Sequence, residues 1–196
     1  RMCYEASAVS AGVYRQLAAS NFKIRDVEKW YYIPVDGDVS AGGKVDRVDE
    51  CDGLVRVIDY KTGNISYTAE EYYAGVKLQL PLYLLAASKG KRPAGAYYFP
   101  ANVEFGDKPA GDFTLKGFMD CGEEVVRNTD KTIKDKERSA FVDAYLNGRQ
   151  LAGGLPEEDF SDFIAYSALI AKRGAKEMFG GNIAPSPFSG ACDYCK

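Results

Sequence analysis

The sequence predicts an α/β or α+β fold, about five strands wrapped around one central helix. Three observations carry that expectation. Five short runs with strand-like alternation or aromatic and β-branched content lie before residue 120. A long helical pattern interrupts them, and two more helical patterns follow. The chain has 196 residues, 46% of them hydrophobic, enough to bury one core as a single domain over 1–196.

Residues 1–26 carry Tyr14, Leu17 and Ala18 among small and polar residues, a helical pattern that ends near Asn21. Residues 29–35, with Trp30, Tyr31, Tyr32 and Ile33, read as a strand that exits through Pro34 and the turn-prone Asp36-Gly37-Asp38. Residues 43–49 and 54–61 alternate side chains between two faces, and Asp52-Gly53 between them is the strongest two-residue hairpin signal. That turn fixes a register in which opposed residue numbers sum to 105, so Asp49 faces Arg56 and Asp46 faces Asp59. A four-residue loop over 50–53 would make the Asp46/Asp59 pair diagonal but leave both on one face. Residues 69–88 place Tyr72, Tyr73, Val76, Leu80, Leu84 and Leu85 at helical spacing, with Pro81 expected to kink or break the helix. Residues 94–100 and 112–119 read as strands, and 130–147 and 157–179 as helices. Gly180-Gly181 then leads into an extended tail over 180–196.

The composition narrows the chemistry. With no histidine, serine-histidine-aspartate triads, cysteine-histidine pairs and histidine general bases are excluded together. Carboxylates, lysine, tyrosine and cysteine remain. A net charge of -3 does not advertise nucleic-acid binding, but a local groove can be basic while the whole is acidic. There is no unbroken apolar run of membrane-helix length and no signal-peptide pattern, so the expectation is a soluble cytoplasmic protein without a membrane partner. Five cysteines, three of them scattered, are not a secreted disulfide framework. The chain also lacks G-x-x-x-x-G-K-[ST], so no ATP site is visible.

Asp59 and Lys61 are two apart in one strand and share a face, while Tyr60 between them points the other way, into the core. Asp46 joins the carboxylate from the neighbouring strand. Like charges placed opposite one another are destabilising unless a cation or a shared proton compensates, and oxygen-only ligands suit Mg²⁺ or Mn²⁺. A lysine beside such a pair supplies a positive group near an attacking water and a phosphorus centre. An exposed strand face with merely solvated charges is the bland alternative.

These residues resemble a family. Gly43-Lys44-Val45-Asp46-Arg47-Val48-Asp49, then Val57-Ile58-Asp59-Tyr60-Lys61-Thr62-Gly63, then Gln79-Leu80-Pro81-Leu82-Tyr83 resemble three motifs of RecB-type PD-(D/E)XK nucleases, in that order and spacing. Further on, 117–127 and Gly180 to Pro187 leading to Ala191-Cys192-Asp193-Tyr194-Cys195 resemble the C-terminal nuclease region of AddB/RexB-type helicase-nuclease subunits. The resemblance covers roughly 28–196. It implies a restriction-endonuclease-like α/β core, a mixed sheet of about five strands flanked by helices, and a Mg²⁺- or Mn²⁺-dependent DNA exonuclease. It further implies DNA and an AddA-type helicase-nuclease as partners, in double-strand break repair and recombination. By the same resemblance Asp46 and Asp59 are metal ligands, with the backbone carbonyl of Tyr60 a further one, and Lys61 is the catalytic lysine. Gln79 and Tyr83, four apart on one helical face, lie beside the site to contact DNA or support the catalytic strand.

Two departures accompany it. Cys192 and Cys195 supply half of a four-iron four-sulfur ligand set, so the cluster is expected only in the full-length protein, with free thiols here. Cys3 is a candidate upstream ligand. The family's upstream helix carries a histidine or glutamate ligand, and without histidine Glu28 or Glu5 is the candidate to stand in. Two rival readings remain: a CRISPR-associated or phage RecB-like exonuclease, and a DNA-binding scaffold with an idle site. Lys131, Lys134 and Arg138 read as a solvated helix face before a DNA contact, and Tyr31, Tyr32, Tyr97 and Tyr98 as sheet-packing before base-stacking.

Overall fold

The computed structural model describes residues 2–37, 39–103, 112–147, 150–152 and 154–187. Helix α1 (Met2–Ala19) leads into three antiparallel strands, β1 (Lys23–Asp36), β2 (Val39–Cys51) and β3 (Leu54–Lys61). Asp52 and Gly53 take φ of 46° and 82°, the doubly left-handed turn that a two-residue hairpin requires. The β2–β3 register runs from Cys51↔Leu54 through Asp49↔Arg56 to Arg47↔Ile58, the register expected from the turn. Strand β1 begins at Lys23, ahead of its aromatic run, and pairs with β2 from there; the charged Lys23, Arg25, Asp26 and Glu28 mask the strand signal in this part. It is an edge strand, so Ile24 and Val27 stay exposed.

Residues 69–88 form two helices rather than one kinked helix, α2 (Ala69–Tyr73) and α3 (Gln79–Ala87). Thr68 and Glu71 make a reciprocal capping box at the start of α2, and Gly75, at φ 76°, lies just past its end. Pro81 therefore sits in the first turn of α3, where its missing N–H had no intrahelical acceptor to lose. These helices cross one face of the sheet and return the chain into β4 (Arg92–Pro100), parallel to β3, after which β5 (Lys116–Met119) pairs antiparallel with β4. The result is a mixed five-stranded sheet of order β1-β2-β3-β4-β5.

After the short helix α4 (Glu123–Thr129), which the sequence pattern did not reveal, the expected helix over 130–147 is not formed. The segment is a stapled loop with a small hairpin, β6 (Tyr145–Asn147) and β7 (Gln150–Ala152). The cause lies in Asp130, which accepts hydrogen bonds from the Thr132 backbone N–H and hydroxyl and from the Ser139 hydroxyl, a local alternative to helical bonding. Lys136 adds φ of 64°. The expected cationic helix face of Lys131, Lys134 and Arg138 therefore does not exist. Helix α5 (Glu157–Phe179) has the bounds expected from its pattern.

Each face of the sheet carries its own core. Val45, Val48, Val55, Val57, Ala96 and Tyr98 pack against Leu80 and Leu84 of α3 and Phe160 and Ile164 of α5. On the other face Phe22, Ile58, Tyr97 and Phe99 pack with Val125 and Val126 of α4, and Val9 and Val13 of α1 close that side. Among the described residues no helix is long and apolar enough to cross a membrane.

Candidate active site

The site forms where β2 and β3 stop pairing. Their ladder ends at Arg47↔Ile58, so Asp46 and Asp59, one step further, are not a laddered pair. Instead the Tyr60 backbone N–H donates to Asp46 Oδ2 at 2.9 Å, the side chain taking the place of a strand acceptor. The alternation of β2 is broken here too. Val45 and Val48, three apart, join the same core cluster, while Arg47 and Asp49 are buried together in a polar cluster on the other side. On the far side of β2 the pairing skips Glu28, which lies between Val27↔Arg47 and Lys29↔Val45 with φ of 52°. Asp46 is thus set by a local irregularity as much as by parity.

Asp59 is 6% exposed and ion-pairs through Oδ2 with Lys61 Nζ at 2.7 Å. Apart from that ammonium, the buried Oδ2 has no hydrogen-bond partner. Burial pushes the Asp59 carboxyl above its ordinary range, and Lys61 only partly offsets this. The Asp59 carboxylate in turn holds the Lys61 ammonium protonated above its usual range. Tyr98, opposite Asp59 in the β3–β4 register, lies under Lys61, whose Nζ is 5.6 Å from the ring centroid. Tyr72 of α2 lies close by the Tyr98 side chain.

Gln79 Nε2 donates to the Tyr83 hydroxyl at 3.3 Å along α3. Tyr83 lies against the bare backbone of Gly43, where an added Cβ would collide with the hydroxyl oxygen. With Tyr31, Ile33 and Leu82 they line an apolar pocket of about 180 Å³. On the other side of Lys61, past its parallel partner Pro100, Gly63, Asn64, Asn102 and Lys116 line a wider groove of about 640 Å³.

Asp46 commits Oδ2 to Tyr60 and keeps Oδ1, and the buried Asp59 carboxylate is met by one ammonium. An oxygen-only set of this kind fits a hard divalent cation that completes its shell with a backbone carbonyl, waters and phosphate oxygens. Among the described residues no three His, Cys, Asp or Glu side chains gather as a metal cage. Glu28 pairs with Lys44, and Glu5 sits in the first turn of α1, so neither completes such a group. Cys192 and Cys195 lie outside the described residues, and Cys3 is an exposed free thiol. Of the tyrosines, Tyr97 and Tyr98 are buried in the two cores, whereas Tyr32 is exposed and stacks on Trp30.

Sequence reasoning missed Tyr98 beneath Lys61. Its signal was the alternation of Ala96-Tyr97-Tyr98-Phe99, which sends Tyr98 to the same face as Ala96. It also missed the burial of Arg47, Asp49 and Arg56 behind the site, although the opposition of Asp49 and Arg56 was legible from the turn.

A sheet that opens at a carboxylate pair and a lysine, with flanking helices on both faces, is the architecture of one nuclease class. Residues 5–196 match the PD-(D/E)XK nuclease superfamily, and the chain belongs to it. Among individual proteins it is similar to the B-type subunit of the ATP-dependent helicase/deoxyribonuclease of Caldanaerobacter subterraneus subsp. tengcongensis, 32% identical over 184 residues, 78% of this chain and 16% of that protein. Its counterpart in Carboxydothermus hydrogenoformans is 37% identical over 117 residues, covering 53% and 10%. That of Alkaliphilus metalliredigens is 29% identical over 185 residues, covering 78% and 16%. The chain therefore spans about a sixth, or less, of the length of these relatives.

Proposed function

We propose that this chain is the nuclease domain of an AddB-type subunit, a Mg²⁺- or Mn²⁺-dependent exonuclease acting on DNA in double-strand break repair. The observation that carries the reading is the meeting of Asp46, Tyr60, Asp59 and Lys61 where the β2–β3 ladder ends. Asp46 and Asp59, with the Tyr60 carbonyl, would hold the cation. When bound, it would polarise a phosphoryl oxygen and lower the pKa of a coordinated water. Lys61, already ammonium, would stabilise charge growing on the phosphate, with Tyr98 beneath it to fix its direction. Gln79 and Tyr83 would line the path of the strand beside the site, and the groove past Pro100 offers room for its continuation.

The relatives' name, which makes each of them one component of an ATP-dependent helicase/deoxyribonuclease, supports a longer assembly with an AddA-type partner that supplies ATP-driven unwinding. Chromosome repair would place it in the cytoplasm. In that setting residues 1–196 form one nuclease domain, and Cys192 and Cys195 contribute two ligands to an iron-sulfur cluster completed elsewhere in the full-length protein. The test is cleavage of end-labelled single- and double-stranded DNA with Mg²⁺ or Mn²⁺. Metal-dependent release of products that Asp59→Ala and Lys61→Ala both abolish is the expected result. Cleavage unchanged in both variants would refute the assignment.

A further inference from the structure

Behind the candidate site, on the opposite face of the sheet, lies a buried charged cluster for which the proposed chemistry has no direct use. Arg47, Asp49 and Arg56 are at most 1% exposed, as is Gln16 of α1. Arg47 grips Asp49 with two parallel bonds, Nε to Oδ1 at 2.7 Å and a terminal nitrogen to Oδ2 at 2.6 Å. The same nitrogen donates to Gln16 Oε1 at 2.6 Å, and the other terminal nitrogen donates to the Tyr60 hydroxyl at 3.1 Å. Asp49 is held a second time by Arg56 Nε at 2.9 Å, and the Arg56 guanidinium lies 4.3 Å from the centroid of the Phe22 ring. The Tyr60 ring packs on Phe99, with centroids 5.2 Å apart.

The placement matters because Arg47 and Tyr60 adjoin the two halves of the site. Arg47 follows Asp46 in β2, and Tyr60 separates Asp59 from Lys61 in β3. The strand ladder that could hold these segments in register has already ended at Arg47↔Ile58. Two described hydrogen bonds bridge them past that point: Tyr60 N–H to Asp46 on one side, and Arg47 to the Tyr60 hydroxyl on the other. The guanidinium is a rigid planar fork locked by Asp49 and Gln16, so its remaining edge points in a fixed direction. A flexible lysine could not transmit that constraint.

We propose that Arg47 is a positioning residue that sets the separation of the Asp46 and Asp59 carboxylates by holding Tyr60 from the buried face of the sheet. This rests on the reading of those carboxylates as the cation site. Partners that orient ligating groups are worth roughly 10- to 100-fold in metal affinity when lost. Tyr60→Phe removes the hydroxyl and keeps the ring on Phe99, so it isolates the contact. Arg47→Lys keeps the charge and loses the fork.

The experiment measures Mn²⁺ affinity by electron paramagnetic resonance and DNA cleavage as a function of Mn²⁺ concentration, with thermal unfolding of each variant in parallel. Tyr60→Phe should weaken Mn²⁺ binding about tenfold, toward the lower end of that range, with a near-unchanged melting temperature. Its cleavage rate should recover at high Mn²⁺. Arg47→Lys should weaken binding at least as much. Unaltered Mn²⁺ affinity in Tyr60→Phe overturns the proposal, and so does a loss of cleavage that excess Mn²⁺ fails to restore. Asp59→Asn separates the two levels. If it still binds Mn²⁺ like the unsubstituted protein, the cation site itself is wrong and the positioning role falls with it. If it loses binding while Tyr60→Phe does not, only the positioning role fails.

Discussion

The two ends of the β2–β3 hairpin place carboxylates in opposite circumstances. Near the turn, Asp49 is fully buried and faces Arg56 across a continuous ladder, with Arg47 closing on it from its own strand. At the open end Asp59 is nearly as buried, yet it shares its surroundings with Asp46 and meets one ammonium. Burial alone would raise both carboxyls. Two guanidiniums reverse this for Asp49 and hold it below its ordinary range, whereas Asp59 stays above. Compensated charge in a closed ladder builds structure, and under-compensated charge where a ladder opens leaves capacity for a ligand.

The largest separation should appear in cleavage. Asp59→Ala or Lys61→Ala should reduce the rate by on the order of 10²–10³-fold or more, the scale of losing a group aimed at developing charge, while the unfolding midpoint changes little. Asp49→Ala should do the reverse to stability. It strands two buried guanidiniums and should cost about 3–5 kcal/mol, read by denaturant titration. A loss below about 1 kcal/mol would erase the contrast between the two ends.

Gly43→Ala probes the pocket beyond the open end, where β2 meets Tyr83. The new Cβ would collide with the Tyr83 hydroxyl, so the Tyr83 ring must give way. A destabilisation of about 1–3 kcal/mol is expected, with weakened binding of single-stranded DNA measured by fluorescence anisotropy. The smallest effect belongs to the rim. Burial would raise the Asp26 carboxyl, but hydrogen bonds from Lys29, Tyr31 and Arg25 bring it down to about 2. A depressed carboxylate contributes stability that is present above its unfolded pKa near 3.8 and is lost as pH falls toward 2. Asp26→Asn should remove that acid sensitivity, on the order of 1 kcal/mol, from the pH dependence of unfolding.

The extent to which the sequence could be read differs by region, for physical reasons. The Asp52-Gly53 turn and period-two alternation are local, so they gave the Asp49↔Arg56 register and brought Asp46 close to Asp59 without tertiary information. Helix α5, amphipathic and uninterrupted, was equally legible. In the segment 130–147 helical periodicity competes with side-chain caps, and the caps win. Asp130 and Ser139 are nine residues apart, and their hydrogen bond does not show in a sliding pattern. The pattern over 69–88 reads as one helix for a related reason, since the break at 74–78 depends on a left-handed Gly75 that sequence alone leaves optional.

The sequence by itself determined the pairing of β2 with β3, the grouping of two carboxylates with a lysine, and the exclusion of histidine chemistry. These follow from residue identity and from neighbours close along the chain. Tertiary structure alone decided that the ladder ends at Arg47↔Ile58, that Asp46 caps the Tyr60 N–H, and that Gln16 crosses from α1 to lock Arg47. Those contacts join segments whose spacing no local propensity encodes. They form only when burial of two cores presses α1 and α3 onto opposite faces of one sheet, where each buried polar group must find its partner.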